Sequence, residues 1–263
     1  MIEGMSLNAN AILEPKVSHV ERRELAEALT SRMAARYPLL LAGLYGSTTR
    51  DEDLGSSDLE LWFVVADDCT AQGQNLLYRG ISAGYQIYRQ SEMESLVTTP
   101  SGSWSFYMGV LAEMEILAGD TQLIERWLDL GRTVPKATFH HYLERHLGDY
   151  VFESYGRILS CAARQNQADL RFAVQEVLFE MQAVLCMLNQ CWVTRDYTTG
   201  LRQTFDFPLI PSSYPDLVSA LLAAEGFSDT LPAAQQLVTH YLDLLQRQQL
   251  SLPLYTTPEN IPL

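Results

Sequence analysis

The chain has 263 residues, 47% of them apolar, and 18 Lys+Arg against 32 Asp+Glu give a formal net charge of -14. That apolar share excludes a disordered chain, and the length allows one large domain or two small ones. The acid excess argues against a nucleic-acid backbone or an anionic membrane surface as the main partner, since both select basic patches.

Residues 1–16, MIEGMSLNANAILEPK, lack a basic segment followed by an apolar one, so no secretory signal is expected. Cys69, Cys161, Cys186 and Cys191 form no CxxC pair and no zinc spacing. They read as reduced, mostly buried thiols of a cytoplasmic protein. The first helix is predicted over about 17–37, with Ser18 as cap, Glu21 as its capping-box partner and Pro38 as terminator. Leu25, Ala28, Leu29 and Met33 supply its apolar stripe. The run LLLAGLY, Leu39–Tyr45, predicts a buried strand entering a turn at Gly46-Ser47. Residues 51–57 are polar loop, and 58–66 (DLELWFVVA) a second strand. Strands are also predicted over 85–89 and over 109–117 (GVLAEMEIL), with aromatic residues 103–108 as a loop near the site or part of that last strand.

Character changes at 131–136, GRTVPK, and the pattern beyond is helical. Helices are predicted over 138–164, 168–193, 215–225 and 231–248, with an irregular connection at Pro208, Pro211 and Pro215. The apolar stretch 174–193 is interrupted by Glu176 and Glu180, and reads as a buried helix rather than a membrane span. The tail, 251–263, holds three prolines and is expected to be extended. The expected class is therefore α+β, with an α+β domain over 1–134 and a helical domain over 135–263.

The chemistry concentrates in Gly43–Val65, GLYGSTTRDEDLGSSDLELWFVV. On a strand, residues two apart share a face, so Asp58 and Glu60 are expected side by side. Two neighbouring carboxylates repel each other, and a hard divalent cation relieves that repulsion. Magnesium keeps coordination sites for phosphate oxygens, so such a pair can hold a nucleoside triphosphate. Gly46 lets the backbone approach a phosphate, Ser47 can donate to it, and Arg50 can neutralise its charge. Taken singly, Asp-x-Glu reads as a solvated strand edge and Gly-Ser as an ordinary turn.

In combination, strand, Gly-Ser, a dozen residues, then Ser-Asp-Leu-Glu-Leu resembles the signature of the polymerase-β-like nucleotidyltransferase superfamily. The likeness extends to the kanamycin nucleotidyltransferase family, the aminoglycoside 4'-adenylyltransferases. It is carried by GLYGSTTR (43–50), SSDLEL (56–61), TFHHYLERHLGDYVFESYGR (138–157), YTTGLRQT (197–204) and the ending ENIPL (259–263). The resemblance implies a nucleotidyltransferase domain with a mixed sheet, then a helical bundle. It implies transfer of AMP from ATP to an aminoglycoside hydroxyl, with release of pyrophosphate. Asp58 and Glu60 would hold Mg²⁺, and Gly46, Ser47, Arg50, Ser57 and Arg157 would contact the nucleotide. Glu153 would be the general base, while Asp149, Glu153, Gln86 and Trp104 would line the sugar site. A homodimer is also implied, with a cationic aminoglycoside and a nucleoside triphosphate as partners. Independently, Asp149, Glu153 and Arg157 are spaced i, i+4, i+8, which places them on one face of a continuous helix. The bland reading of that spacing is an exposed salt-bridge ladder.

Two departures stand out. Gln86 occupies the position of a third carboxylate, and Ser103 precedes Trp104 where the family has an acid. Glu113 and Glu115, as same-face neighbours on a strand, could substitute, although the bland reading is an ordinary surface strand. A protein that binds nucleotide in a regulatory role without turnover, or a transferase for another small molecule, are the alternatives. His140, His141 and His146 lack zinc spacing, and no GxSxG, Walker A or GxGxxG occurs.

Overall fold

The computed structural model describes residues 13–252 and 254–261. Positions 1–12, which hold most of the stretch read as lacking a signal, and Pro253, Pro262 and Leu263 of the tail lie outside the described residues. The class is α+β, with a five-stranded mixed sheet in the N-terminal half and helices beyond. Contacts divide the chain into two compact units. One runs to Thr98 and takes in Val110–Gly131; the other comprises Thr99–Gly109 and everything from Arg132.

In the first unit, helix α1 spans His19–Arg36 and opens with the expected capping box between Ser18 and Glu21. Its buried residues are Arg22, Ala26, Thr30 and Met33, while Ala28 is exposed. Leu25, Leu29 and Met33 of the expected stripe pack on the core, and Arg22 and Thr30 are buried beside them. Strand β1 (Leu39–Tyr45) pairs antiparallel with β2 (Leu59–Val65). Strand β3 (Gln74–Tyr78) pairs antiparallel with β4 (Ile81–Arg89), and β4 lies parallel to β2. Helix α2 is Gln90–Thr98 and β5 is Glu115–Gly119, while α3, Trp104–Glu113, belongs to the second unit up to Gly109 and to the first from Val110. Helix α4, Gln122–Arg132, completes this part. The strand order is β3-β4-β2-β1-β5.

One sheet face carries Ala42, Leu44, Leu59, Leu61, Phe63, Ile81 and Ala83 into a core with Val17, Ala26 and Met33. By the period of two, the other face carries Tyr45, Glu60, Trp62, Gln86 and Tyr88. The predicted strand over 109–117 is corrected. Gly109–Glu113 closes α3, and the strand begins only at Glu115. Short apolar runs do not distinguish helix from strand, and Leu111, Ala112 and Glu113 favour the helix. Glu113 and Glu115 are therefore not same-face strand neighbours. They hold Arg50 and Arg23, respectively.

In the second unit, α5 spans Lys136–His146, α6 Glu153–Ala163 and α7 Gln167–Asn189. Helix α8 is Tyr197–Gln203, α9 Tyr214–Ala223 and α10 Phe227–Arg247. The helix expected over 138–164 is two helices. Between them, Gly148–Phe152 breaks the regular geometry at Tyr150 and Val151. Helix α7 forms the core of this unit, burying Leu170, Val177, Met181, Val184, Leu185 and Leu188 among others. It is long and apolar enough to cross a membrane by length and composition, and 56% of its apolar window is buried inside the fold. All four cysteines are free thiols; three are buried and Cys191 is half-buried.

Candidate functional site

The first cluster forms where β1 turns and β2 begins. Pairing sets Tyr45 opposite Glu60. The next residue, Gly46, adopts φ 86°, a conformation that favours glycine. A Cβ there would lie 2.6 Å from Glu60 Oε2, so the carboxylate sits directly over the glycine. Ser47 opens the short 3₁₀ turn Ser47–Arg50 and is half-buried. Gly46, Ser47 and Glu60 are thus brought together by strand register. Glu60 also bonds the Tyr45 hydroxyl, whose pKa is driven up by burial first and by the Glu60 charge second. Trp62 packs edge-on against Tyr45 at 5.3 Å and Tyr88 at 5.0 Å, forming an aromatic floor on the same face. Gln86 is exposed and lies in register with Trp62, so it shares that face and places a neutral amide there.

Asp58 immediately precedes β2 and is exposed. The loop that delivers it is held by residues that sequence reasoning missed. Arg22, fully buried, donates to Asp53 Oδ2 at 2.7 Å, to the Ser57 carbonyl at 3.0 Å and to the Leu54 carbonyl. His19 Nδ1 lies 2.7 Å from Asp53 Oδ1 and its Nε2 lies 3.3 Å from Asp51. Ser57 accepts the Leu54 N–H at 2.9 Å through its hydroxyl, so it locks the loop. A charged residue at a helix position that faces the core was the available signal for Arg22.

Arg50 is engaged by two carboxylates, Glu52 at 2.8 Å and Glu113 at 3.2 Å. Contact with a phosphate would require exchange of those partners. Among the described residues no group of three or more His, Cys, Asp or Glu is arranged to hold a metal ion. Magnesium is held by as few as one or two carboxylates, with water and substrate phosphates completing its octahedron, and Asp58 and Glu60 are the candidate donors.

The second cluster lies on α6. Glu153 is its first residue and is exposed, and Arg157 donates to it at 2.7 Å and to Glu176 of α7 at 2.5 Å. Both carboxylates raise the pKa of Arg157, Glu176 more strongly. Asp149 is not on this face. It precedes the irregular Tyr150–Val151 pair, is exposed, and lies 3.4 Å from His146 Nδ1. The i, i+4, i+8 argument is corrected, because it needed a continuous helix. Trp104 is fully buried, edge-on to Phe139 at 4.9 Å and Trp192 at 6.3 Å. Its ring belongs to the core of the helical unit.

No protein-family model matches this chain, and no curated relative matches it. Among solved structures, it is similar to a nucleotidyltransferase-like protein from Exiguobacterium sibiricum 255-15. Identity is 11%, the match covers 86% of this chain and 74% of that one, and the TM-score is 0.47.

Proposed function

We propose that this protein is a Mg²⁺-dependent nucleotidyltransferase that moves AMP from ATP to a hydroxyl of a small polar acceptor, with an aminoglycoside as the first class to test. The observation that carries this reading is the register that sets the Gly46–Ser47 turn against Glu60. A glycine-serine turn beside an acidic strand start suits a triphosphate with its divalent cation.

In this reading Asp58 and Glu60 hold magnesium, which when bound offsets the triphosphate charge. Ser47 donates to a phosphate oxygen, and Gly46 supplies the positive-φ turn that the Glu60 carboxylate covers. Glu153 receives the proton that the acceptor hydroxyl loses, and Arg157 stabilises phosphate charge. The formal charge of -14 favours a polycationic acceptor such as an aminoglycoside. Pyrophosphate release in the presence of ATP, Mg²⁺ and an aminoglycoside panel tests the activity. Glu153→Gln should then lose about 10²–10⁴ in turnover, the usual range for a general base. Wild-type turnover of that variant would remove Glu153 from the mechanism.

A second reading is nucleotide binding without transfer. It is favoured by the two carboxylates that already occupy Arg50, and by the neutral Gln86 on the acidic face. Saturable ATP binding with no pyrophosphate from any acceptor would select it.

A further inference from the structure

Local sequence favours one helix through residues 138–164, yet α5 and α6 are separated by a bend. Tyr150 is extended there (φ -98°, ψ 133°) and Val151 is left-handed (φ 68°, ψ -44°). A β-branched residue rarely adopts a positive φ, so something outside the segment must hold it. The Val151 side chain is fully buried. Its N–H donates to Glu180 Oε2 at 2.7 Å. The hydroxyl of Ser154, also fully buried, donates to the same oxygen.

Glu180 projects from the middle of α7. Helix α6 has no side-chain cap of its own. Glu180 therefore supplies, from another helix, an acceptor for the Val151 N–H just before α6 and for the Ser154 hydroxyl in its first turn, and places negative charge near the positive helix end. One turn earlier on α7, Glu176 grips Arg157. Two carboxylates four residues apart on α7 thus both contact the segment from Val151 to Arg157.

We propose that Glu180 is a positioning residue: it holds the Val151 bend and so sets where the helix bearing Glu153 and Arg157 begins. The catalytic consequence rests on the reading of Glu153 given above, whereas the hold on the bend does not. If Tyr150 and Val151 joined the helix, each would turn Glu153 by about 100° relative to α5.

Glu180→Met keeps the reach and removes both acceptor oxygens, whereas Glu180→Gln keeps one. Amide hydrogen exchange over 148–156 and steady-state pyrophosphate release are measured on the full chain. Glu180→Met should speed exchange of the Val151 amide at least ~10-fold by releasing the local opening it restrains. It should lower kcat about 10–100-fold through misplacement of Glu153, with KM for ATP within about twofold. Glu180→Gln should stay close to wild type in both, a rescue that loss of stability alone does not predict. Wild-type exchange in Glu180→Met overturns the proposal. Faster exchange with unchanged kcat overturns the link to Glu153. If the wild type releases no pyrophosphate, the functional reading fails while the exchange result still decides the role of Glu180. Should Glu180→Met not fold, the wild type decides: a Val151 amide that exchanges at the rate of an unprotected one contradicts the proposal.

Discussion

Replacing Arg22 with methionine removes the guanidinium that ties α1 to the loop leading to Asp58. The side chain of Arg22 is 0% exposed and that of its partner Asp53 is 1% exposed. The substitution leaves a carboxylate buried beside a half-exposed histidine, and two carbonyls, of Leu54 and Ser57, without their donor. Breaking a buried pair from one side costs about 3–5 kcal/mol, most of it the uncompensated charge. Against a total stability of about 5–15 kcal/mol that is a large fraction. At roughly 2–4 °C per kcal/mol for a chain of this size, Tm should fall by about 6–20 °C. Urea denaturation followed by circular dichroism measures the loss directly, with an unchanged slope showing that the denatured state is not at fault. Arg22→Met combined with Asp53→Leu should recover most of the loss, because no charge is then stranded. A single-variant loss below about 1 kcal/mol, or a double variant no better than the single, would refute the assigned role of a buried ion pair.

Three further outcomes follow from the same geometry. Gly46→Ala forces a Cβ onto Glu60 Oε2 at a positive φ, and should cost about 1–3 kcal/mol and displace the carboxylate; wild-type stability and nucleotide binding would contradict the cradle. Burial would raise the Asp53 carboxyl, but the bond from His19 and the charges of His19 and Arg22 outweigh it and hold the group below its ordinary value. Such a group stabilises the fold above about pH 4 and loses that contribution as pH falls through its lowered pKa. Asp53→Asn should therefore be less stable at neutral pH and lose less stability in acid, and an unaltered pH slope in denaturation would count against it. Gly109→Ala places a Cβ 2.0 Å from the Val193 carbonyl oxygen, and should destabilise the helical unit by about 1–3 kcal/mol or more; an unchanged unfolding midpoint would show that this approach relaxes freely.

Local signals were legible where they were strong. The Ser18–Glu21 capping box, the β1 run into Gly46 and the start of β2 stand where the sequence predicts them. Features that depend on tertiary partners were not. Strand β3 is a short edge strand whose polar start carries no period-two signature. The bend at Val151 is invisible locally, because the acceptor that holds it lies 29 residues away on α7. The apolar run at 109–117 is ambiguous by composition, and its helical part carries the close approach at Gly109 that no pattern announces. In the candidate site, the Gly46–Ser47 turn and the acidic start of β2 could be read from turn chemistry and strand alternation, whereas the register that sets Tyr45 opposite Glu60 could not. The engagement of Arg50 by Glu52 and Glu113 could not, since Glu113 lies 63 residues away in a segment assigned to a strand.

Calorimetric titration of the full chain with ATP, with and without Mg²⁺, tests the central claim most directly. The account predicts saturable heat from the wild type only when the cation is present, and its disappearance in Asp58→Asn, whose exposed side chain can be changed without disturbing the fold. Equal affinity in the two proteins, or no binding by the wild type under either condition, would contradict it.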